Sequence, residues 1–293
     1  MSFSKSFSLL TFALLLTANG LFAQNAKISS AEVNKISRPC VTADYGMSYE
    51  IIDGAFKKKF TESKFGSGDK TKDGYRVYKG IIFQELSTDK VDLYFRVEDR
   101  KPNTSVYLLL SKGYDNFLKP ETDSLVLQQA VIFLNAFVKD ATAFQLNRDI
   151  EKQQETILKA ESKVKDIQKD GERELKNKSK VESKISKNGV EQSALKTEME
   201  SEKKQLEVVK AKTATLDQME ALKKEVGKQE SSLKKAEKNY FGAVKDGEEL
   251  KSDLQKAEQK IADNKIEEEK AKGELSLENK KLEELKVKLS NLK

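Results

Sequence analysis

Apolar residues recur in alternating steps of three and four from Met219 to Leu292. With Met219 taken as position a of a heptad, later a positions include Val226, Leu233, Tyr240, Gly247, Leu254, Ile261, Glu268, Leu275, Leu282 and Leu289. The d positions are Leu222, Gln229, Ala236, Ala243, Leu250, Ala257, Asn264, Ala271, Glu278, Leu285 and Leu292. Seventeen of these twenty-two are apolar, and the residues between them are mostly Lys and Glu. A stripe with this period drifts little around a helix and demands cover from another helix. The pattern therefore predicts a long α-helical coiled-coil region, covered by this chain or by another.

Upstream the same spacing is present but rougher. Ile150, Ile157 and Val164 keep it, as do Gln153, Ala160 and Ile167. It loosens through Gly171 and Leu175, recovers at Val181 and Ile185, and reaches Asn188-Gly189, a pair that suits a helix end. A phase shift separates Leu216 from Met219, where Thr215 and Gln218 have capping-box spacing. Helix breaks are thus expected near 188–189 and 213–219. Flanking charges argue against a parallel homodimer, because Glu225 would face Glu230, and Lys281 would face Lys286. Alanines at d let helices approach closely, which favours a chain folded back as an antiparallel hairpin. Asn264 and Glu268 sit in the stripe, where they either fix register or mark a splayed stretch.

Before the rod the periodicity changes. Val91, Leu93, Phe95 and Val97 alternate with Asp92, Tyr94, Arg96 and Glu98, as a half-buried strand does. Tyr75 to Phe83 and Val106 to Leu110 bracket it through short polar connectors, so a three-stranded antiparallel meander is expected, with a fourth strand near Cys40. Met47, Ile51, Ile52, Ala55, Phe56 and Phe60 mark an amphipathic helix. Leu125 to Val138 reads as a buried core helix that continues into the rod. The expected fold is an α+β head, a small antiparallel sheet packed by helices, over 24–144, followed by a coiled-coil rod over 145–293.

Residues 1–23 read as a signal peptide: Lys5, a short apolar run from Leu9 to Ala18, and a small residue at Ala23. The mature chain is then expected to be exported to the bacterial periplasm or the exterior, with cleavage near Ala23 and no transmembrane segment. The formal charge of +6 arises from 54 basic and 48 acidic side chains spread over both halves, so no basic block invites nucleic acid. With no His at all, Ser-His-Asp triads and His-based metal sites are excluded. Cys40 alone provides no internal disulfide; it is either a buried apolar side chain or half of an intermolecular bridge.

Other motifs point to little chemistry. Asp69 to Gly74 resembles a calcium loop, but Gly80 stands where the twelfth-position carboxylate would be needed. Lys57-Lys58-Lys59 is either a solvated helix face or a contact for an anionic surface. Asp44, Asp53, Glu85, Asp92 and Glu98 show no spacing that compels an acid–base pair. No catalytic, cofactor-binding or metal-ligating residue is assigned, and no cofactor is expected.

In layout, an exported β-containing head with long charged helices resembles the periplasmic prefoldin-like chaperones of the Skp family, and that resemblance implies a holdase-type activity. The residues themselves favour a non-enzymatic structural or interaction protein. Its rod would be a spacer or oligomerisation arm with a protein partner on the helical seam, and its head would bind a partner or envelope component. A hydrolase-like enzyme in the head is the third reading.

Overall fold

The structure, a computed structural model, describes residues 26–292. The signal-peptide reading of 1–23 lies outside the described residues. Two strands open the fold: β1 (Lys27–Val33) and β2 (Ile36–Tyr45) pair through the two-residue turn Asn34-Lys35. Both turn residues have positive φ, 53° and 63°, the geometry that suits the twist of a tight hairpin. Helix α1 (Tyr49–Glu62) follows, then β3 (Asp69–Lys70), β4 (Arg76–Ile81), β5 (Val91–Arg100) and β6 (Asn103–Ser111). The six strands form one antiparallel sheet in the order β1-β2-β6-β5-β4-β3. The expected meander is β4-β5-β6, and the strand expected near Cys40 is β2. The described residues thus open with strands, and β1 had no counterpart in the sequence reading.

One compact unit comprises residues 26–152 with 283–292. Its core lies on one sheet face, where Val41, Ala43, Leu93, Phe95, Val106, Leu108 and Leu110 meet α1 and the start of α2 (Ser124–Lys210). Phe56 of α1 stacks on Phe137 of α2 with ring centroids 3.6 Å apart, and it lies 4.1 Å from Phe95 of the sheet. Tyr45 donates its hydroxyl to the Leu134 carbonyl at 2.6 Å, tying β2 to α2. Leu127, Ala130, Phe133, Leu134, Phe137 and Ala141 are buried. Leu125 and Ile132, however, are mostly exposed, so this helix is one-sided and not buried all round. Among the described residues no helix is long and apolar enough to cross a membrane.

The second unit comprises residues 153–282. Here α2 runs beside α3 (Met219–Ser290), and partner numbers fall on one helix as they rise on the other. Gln153 reaches Glu278, Lys163 reaches Glu274, Gln168 reaches Glu268, Asn188 reaches Ala243 and Gln229 reaches Glu202. The helices are therefore antiparallel. The reversal lies between Lys210 and Met219, where the Thr215 amide donates to Gln218 Oε1 at 3.5 Å, as the capping-box spacing anticipated.

Asn188-Gly189 is no helix end, for α2 passes through it. Asn188 is buried and donates Nδ2 to the Ala243 carbonyl at 3.0 Å, so a contact across the helices overrides the local preference for a cap. The expected loosening near Gly171 and Leu175 is also absent. Sheltered positions continue in phase through Gly171, Glu174 and Lys178, while Leu175 faces solvent. Glu174 and Lys178 stay in the stripe because Lys260 and Glu258 of α3 pair with them. On α3 the a and d positions from Leu222 onward are sheltered, with Val244 beside them; Met219, the first a position, is exposed.

Candidate functional site

The sheet face opposite α1 and α2 carries the most distinctive chemistry of the first unit. Strand alternation decides which side chains reach it. Cys40, Thr42 and Asp44 of β2, Tyr107 and Ser105 of β6, and Tyr94, Arg96 and Glu98 of β5 share this side, with Ala31 and Val33 of β1. The β5–β6 hairpin pairs Arg100 with Asn103 around Lys101-Pro102, a register that sets Arg96 beside Tyr107 and Glu98 beside Ser105.

Arg96 anchors the face. Its guanidinium carbon lies 4.5 Å from the Tyr75 ring centre and 4.9 Å from that of Tyr107, within cation–π range. Nη1 donates to the Asp73 carbonyl at 3.2 Å, and Nη2 meets Glu98 Oε1 at 2.9 Å. The other Glu98 oxygen accepts from Arg100 Nε at 3.0 Å, and Arg100 lies 5.5 Å from the Tyr107 ring centre. Glu98 thus bridges two arginines. Ser105 donates its hydroxyl to Asp44. Beside this cluster is a groove of about 630 Å³, lined by Lys27, Thr42, Asp44, Arg96, Arg100 and Tyr107 among others. A second groove, of about 580 Å³, borders Arg38, whose guanidinium lies 5.0 Å from the Phe117 ring centre. Tyr75 Oη, Arg38 Nε and Arg96 Nε are buried with no hydrogen-bond partner among the described residues.

Burial pushes the Tyr75 hydroxyl up to about 12, and burial also raises Tyr94 and Tyr107. Cys40 is fully buried; desolvation lifts its thiol to about 12, against the opposing pull of Arg96. Near pH 8 that thiol stays protonated, and a thiolate is the reactive form. Native protein is expected to leave Ellman's reagent unreacted until denaturant unfolds the head, at which point one thiol per chain appears. Rapid labelling of the native chain would contradict the packing described for Cys40.

The five carboxylates considered from sequence are dispersed. Asp44 and Glu98 come together only in that each flanks Ser105 from a neighbouring strand. Asp53 is buried between Lys57 at 2.6 Å and Arg76 at 3.3 Å. Glu85 pairs with Lys59 at 3.0 Å, and Asp92 accepts from the Gly80 amide at 2.7 Å. Of the lysine triplet, Lys57 holds Asp53, Lys58 approaches Glu62, and Lys59 bridges Glu85 and Asp140. In the Asp69–Gly74 segment, Asp73 accepts from the Asn34 amide at 2.7 Å. Among the described residues no cluster of His, Cys, Asp and Glu is arranged to hold a metal.

Sequence reasoning placed Arg96 and Glu98 on the polar side of their strand but missed the Tyr75–Arg96–Tyr107–Arg100 array. The signal was the turn: centring the hairpin on Lys101-Pro102 would have set Arg96 against Tyr107. No protein-family model matches this chain, and a comparison with curated proteins finds no relative.

Proposed function

We propose that this chain is a non-catalytic interaction protein. In this reading the α2–α3 pair is a coiled-coil arm, serving as spacer or association element, and the outer sheet face of the head binds a protein partner. The observation that carries the reading is the unbroken row of sheltered seam positions, from Gln153 to Val209 on α2 and from Leu222 to Leu282 on α3. A long regular helix pair with polar cross-contacts but no reactive cluster suits reach and association better than chemistry. The grooved face adds surface-available Arg100 beside the Tyr107 ring, and arginine and aromatic residues are enriched where proteins meet. Export after cleavage near Ala23 belongs to the same proposal and sets the partner in the periplasm or outside the cell.

A photo-crosslinking side chain at Thr42, in the groove, and another at Lys245, on the arm, test the head assignment in the full chain. Irradiation in the native compartment is expected to give one adduct of defined mass from position 42. That adduct should be absent from position 245 and several-fold weaker when Arg100→Glu is added. Equal adduct patterns from both positions, or none from position 42, would remove the head from the proposal.

A further inference from the structure

The stripe of α3 is interrupted within its seam by Gln229, Gly247, Asn264, Glu268 and Glu278. At one constant offset upstream, α2 carries Gln153, Gly171, Asn188, Gln192 and Glu202. Four of the five are identical, and the fifth exchanges Gln for Glu. The contacts repeat with the residues. Asn188 Nδ2 donates to the Ala243 carbonyl at 3.0 Å, and Asn264 Nδ2 donates to the Ile167 carbonyl at 3.0 Å. Ala243 is the counterpart of Ile167 at the same offset. Gln153 donates to the Glu278 carbonyl and carboxylate, and Gln229 does the same to Glu202.

The glycines complete the match. A Cβ on Gly171 would lie 2.5 Å from Asn264 Oδ1, and one on Gly247 would lie 2.6 Å from Asn188 Oδ1. Each asparagine therefore occupies a socket that only glycine leaves open. The two sockets are related by a local two-fold axis across the helix pair, which maps α2 onto α3.

Such a seam is complementary to itself. An α3 helix facing a reversed α3 from another molecule meets the same partners that α2 supplies: Gln229 against Glu278, and Gly247 against Asn264. A reversed α2 likewise sets Gln153 against Glu202 and Gly171 against Asn188. Lys178, which pairs with Glu258 at 2.9 Å, would then meet Glu182, the counterpart of Glu258. The α3 pairing is the better filled at its centre, where Leu250 and Leu254 replace Glu174 and Lys178.

We propose that a second copy of this chain is a partner for the seam, through exchange of the hairpin into α3–α3 and α2–α2 pairs held by these same sockets. Exchange separates the α2–α3 seam and rebuilds it between copies, and the reversal itself opposes this little. Residues around the reversal are solvent-exposed, with Leu216 at 93%. The ion pairs Lys210–Glu230 and Lys212–Glu225 beside it are exposed too, and exposed pairs contribute little. The Gln–Glu and Asn–carbonyl contacts recur after exchange, while Glu268 gives up the Gln168 donor because Val244 is its counterpart, so the choice between hairpin and exchanged dimer turns on that loss, on concentration and on the linker.

The inference rests on reading α2–α3 as an association arm, and two cysteine pairs in the full chain separate the two ideas. Ala160 stands level with Ala271 in the hairpin, seven residues along each helix from the Gln153–Glu278 contact. Ala236 and Ala271 lie roughly 50 Å apart on one helix at 1.5 Å per residue, too far to bridge within a chain. Across an α3–α3 pair they become level. Under mild oxidation over a range of concentrations, Ala160→Cys with Ala271→Cys is expected to close within the chain. Ala236→Cys with Ala271→Cys is expected to give covalent dimer several-fold above either single variant, rising with concentration. Dimer no higher than in the single variants overturns the exchange and leaves the arm intact. Failure of the first pair to close within the chain at the lowest concentration, together with no dimer from the second pair, overturns the hairpin register and, with it, the arm reading.

Discussion

Phe56→Ala is expected to collapse the head while sparing the long helix pair. The ring is fully buried and joins helix to helix and helix to sheet, stacking on Phe137 of α2 and lying against Phe95 of the sheet and Phe60 of its own helix. Removing a buried phenylalanine costs about 3–5 kcal/mol, from lost transfer energy and the cavity left behind. A domain of this size is stable by roughly 5–15 kcal/mol, so the loss is a large share of the total. Near-ultraviolet dichroism reports the head selectively, since Tyr240 and Phe241 are the only aromatics beyond Phe144. Its denaturant midpoint should fall steeply, Cys40 should become titratable at correspondingly lower denaturant, and most of the helical signal at 222 nm should persist. Phe56→Leu keeps much of the volume and should cost less than half as much. A midpoint unchanged by Phe56→Ala would mean that the aromatic contact joining α1, α2 and the sheet does not hold the head together.

Filling both sockets is expected to have the complementary effect. In Gly171→Leu with Gly247→Leu, each new side chain starts from a Cβ within 2.6 Å of a polar atom on the facing helix. Either the helices separate locally or the asparagines swing away from the Ile167 and Ala243 carbonyls. Overpacking costs roughly 1–3 kcal/mol per site, and each lost buried hydrogen bond adds about 1 kcal/mol. Improved helix propensity returns up to about 1 kcal/mol per glycine replaced, too little to reverse the sign. The thermal midpoint read at 222 nm should drop while the near-ultraviolet transition stays in place. Gly189→Ala is the control: open space surrounds its α-carbon, so the same propensity gain should appear without the clash. If the double variant proved as stable as that control, the glycines would not be there for close approach.

The sequence made some of this legible and hid the rest for physical reasons. The α3 stripe could be read directly because most of its seam positions are apolar and their spacing never slips. On α2 the same stripe was read as broken, because Gly171, Glu174, Lys178 and Asn188 look like lost hydrophobicity. Their compensation comes from Asn264, Lys260, Glu258 and Ala243, residues distant in the chain. The meander was visible in the alternation of β5, which has one face in the core and one in the grooves. Strand β1 was not, since Lys-Ile-Ser-Ser-Ala-Glu-Val at a sheet edge buries only Ala31 and Val33. The outer face depends on hairpin register, which composition does not encode; its two ends, Arg96 and Tyr107, meet only once Arg100 pairs with Asn103.

The antiparallel course of the second unit also fixes how it would yield to mechanical load. Gln153 and Glu278 stand side by side, so tension drawing those two ends apart peels the helices one layer at a time and never shears many layers together. Peeling would halt at discrete stops, first where Asn264 grips the Ile167 carbonyl and later where Asn188 grips that of Ala243. The pair would behave as a zipper with two catches, giving way in steps under a pull at its base.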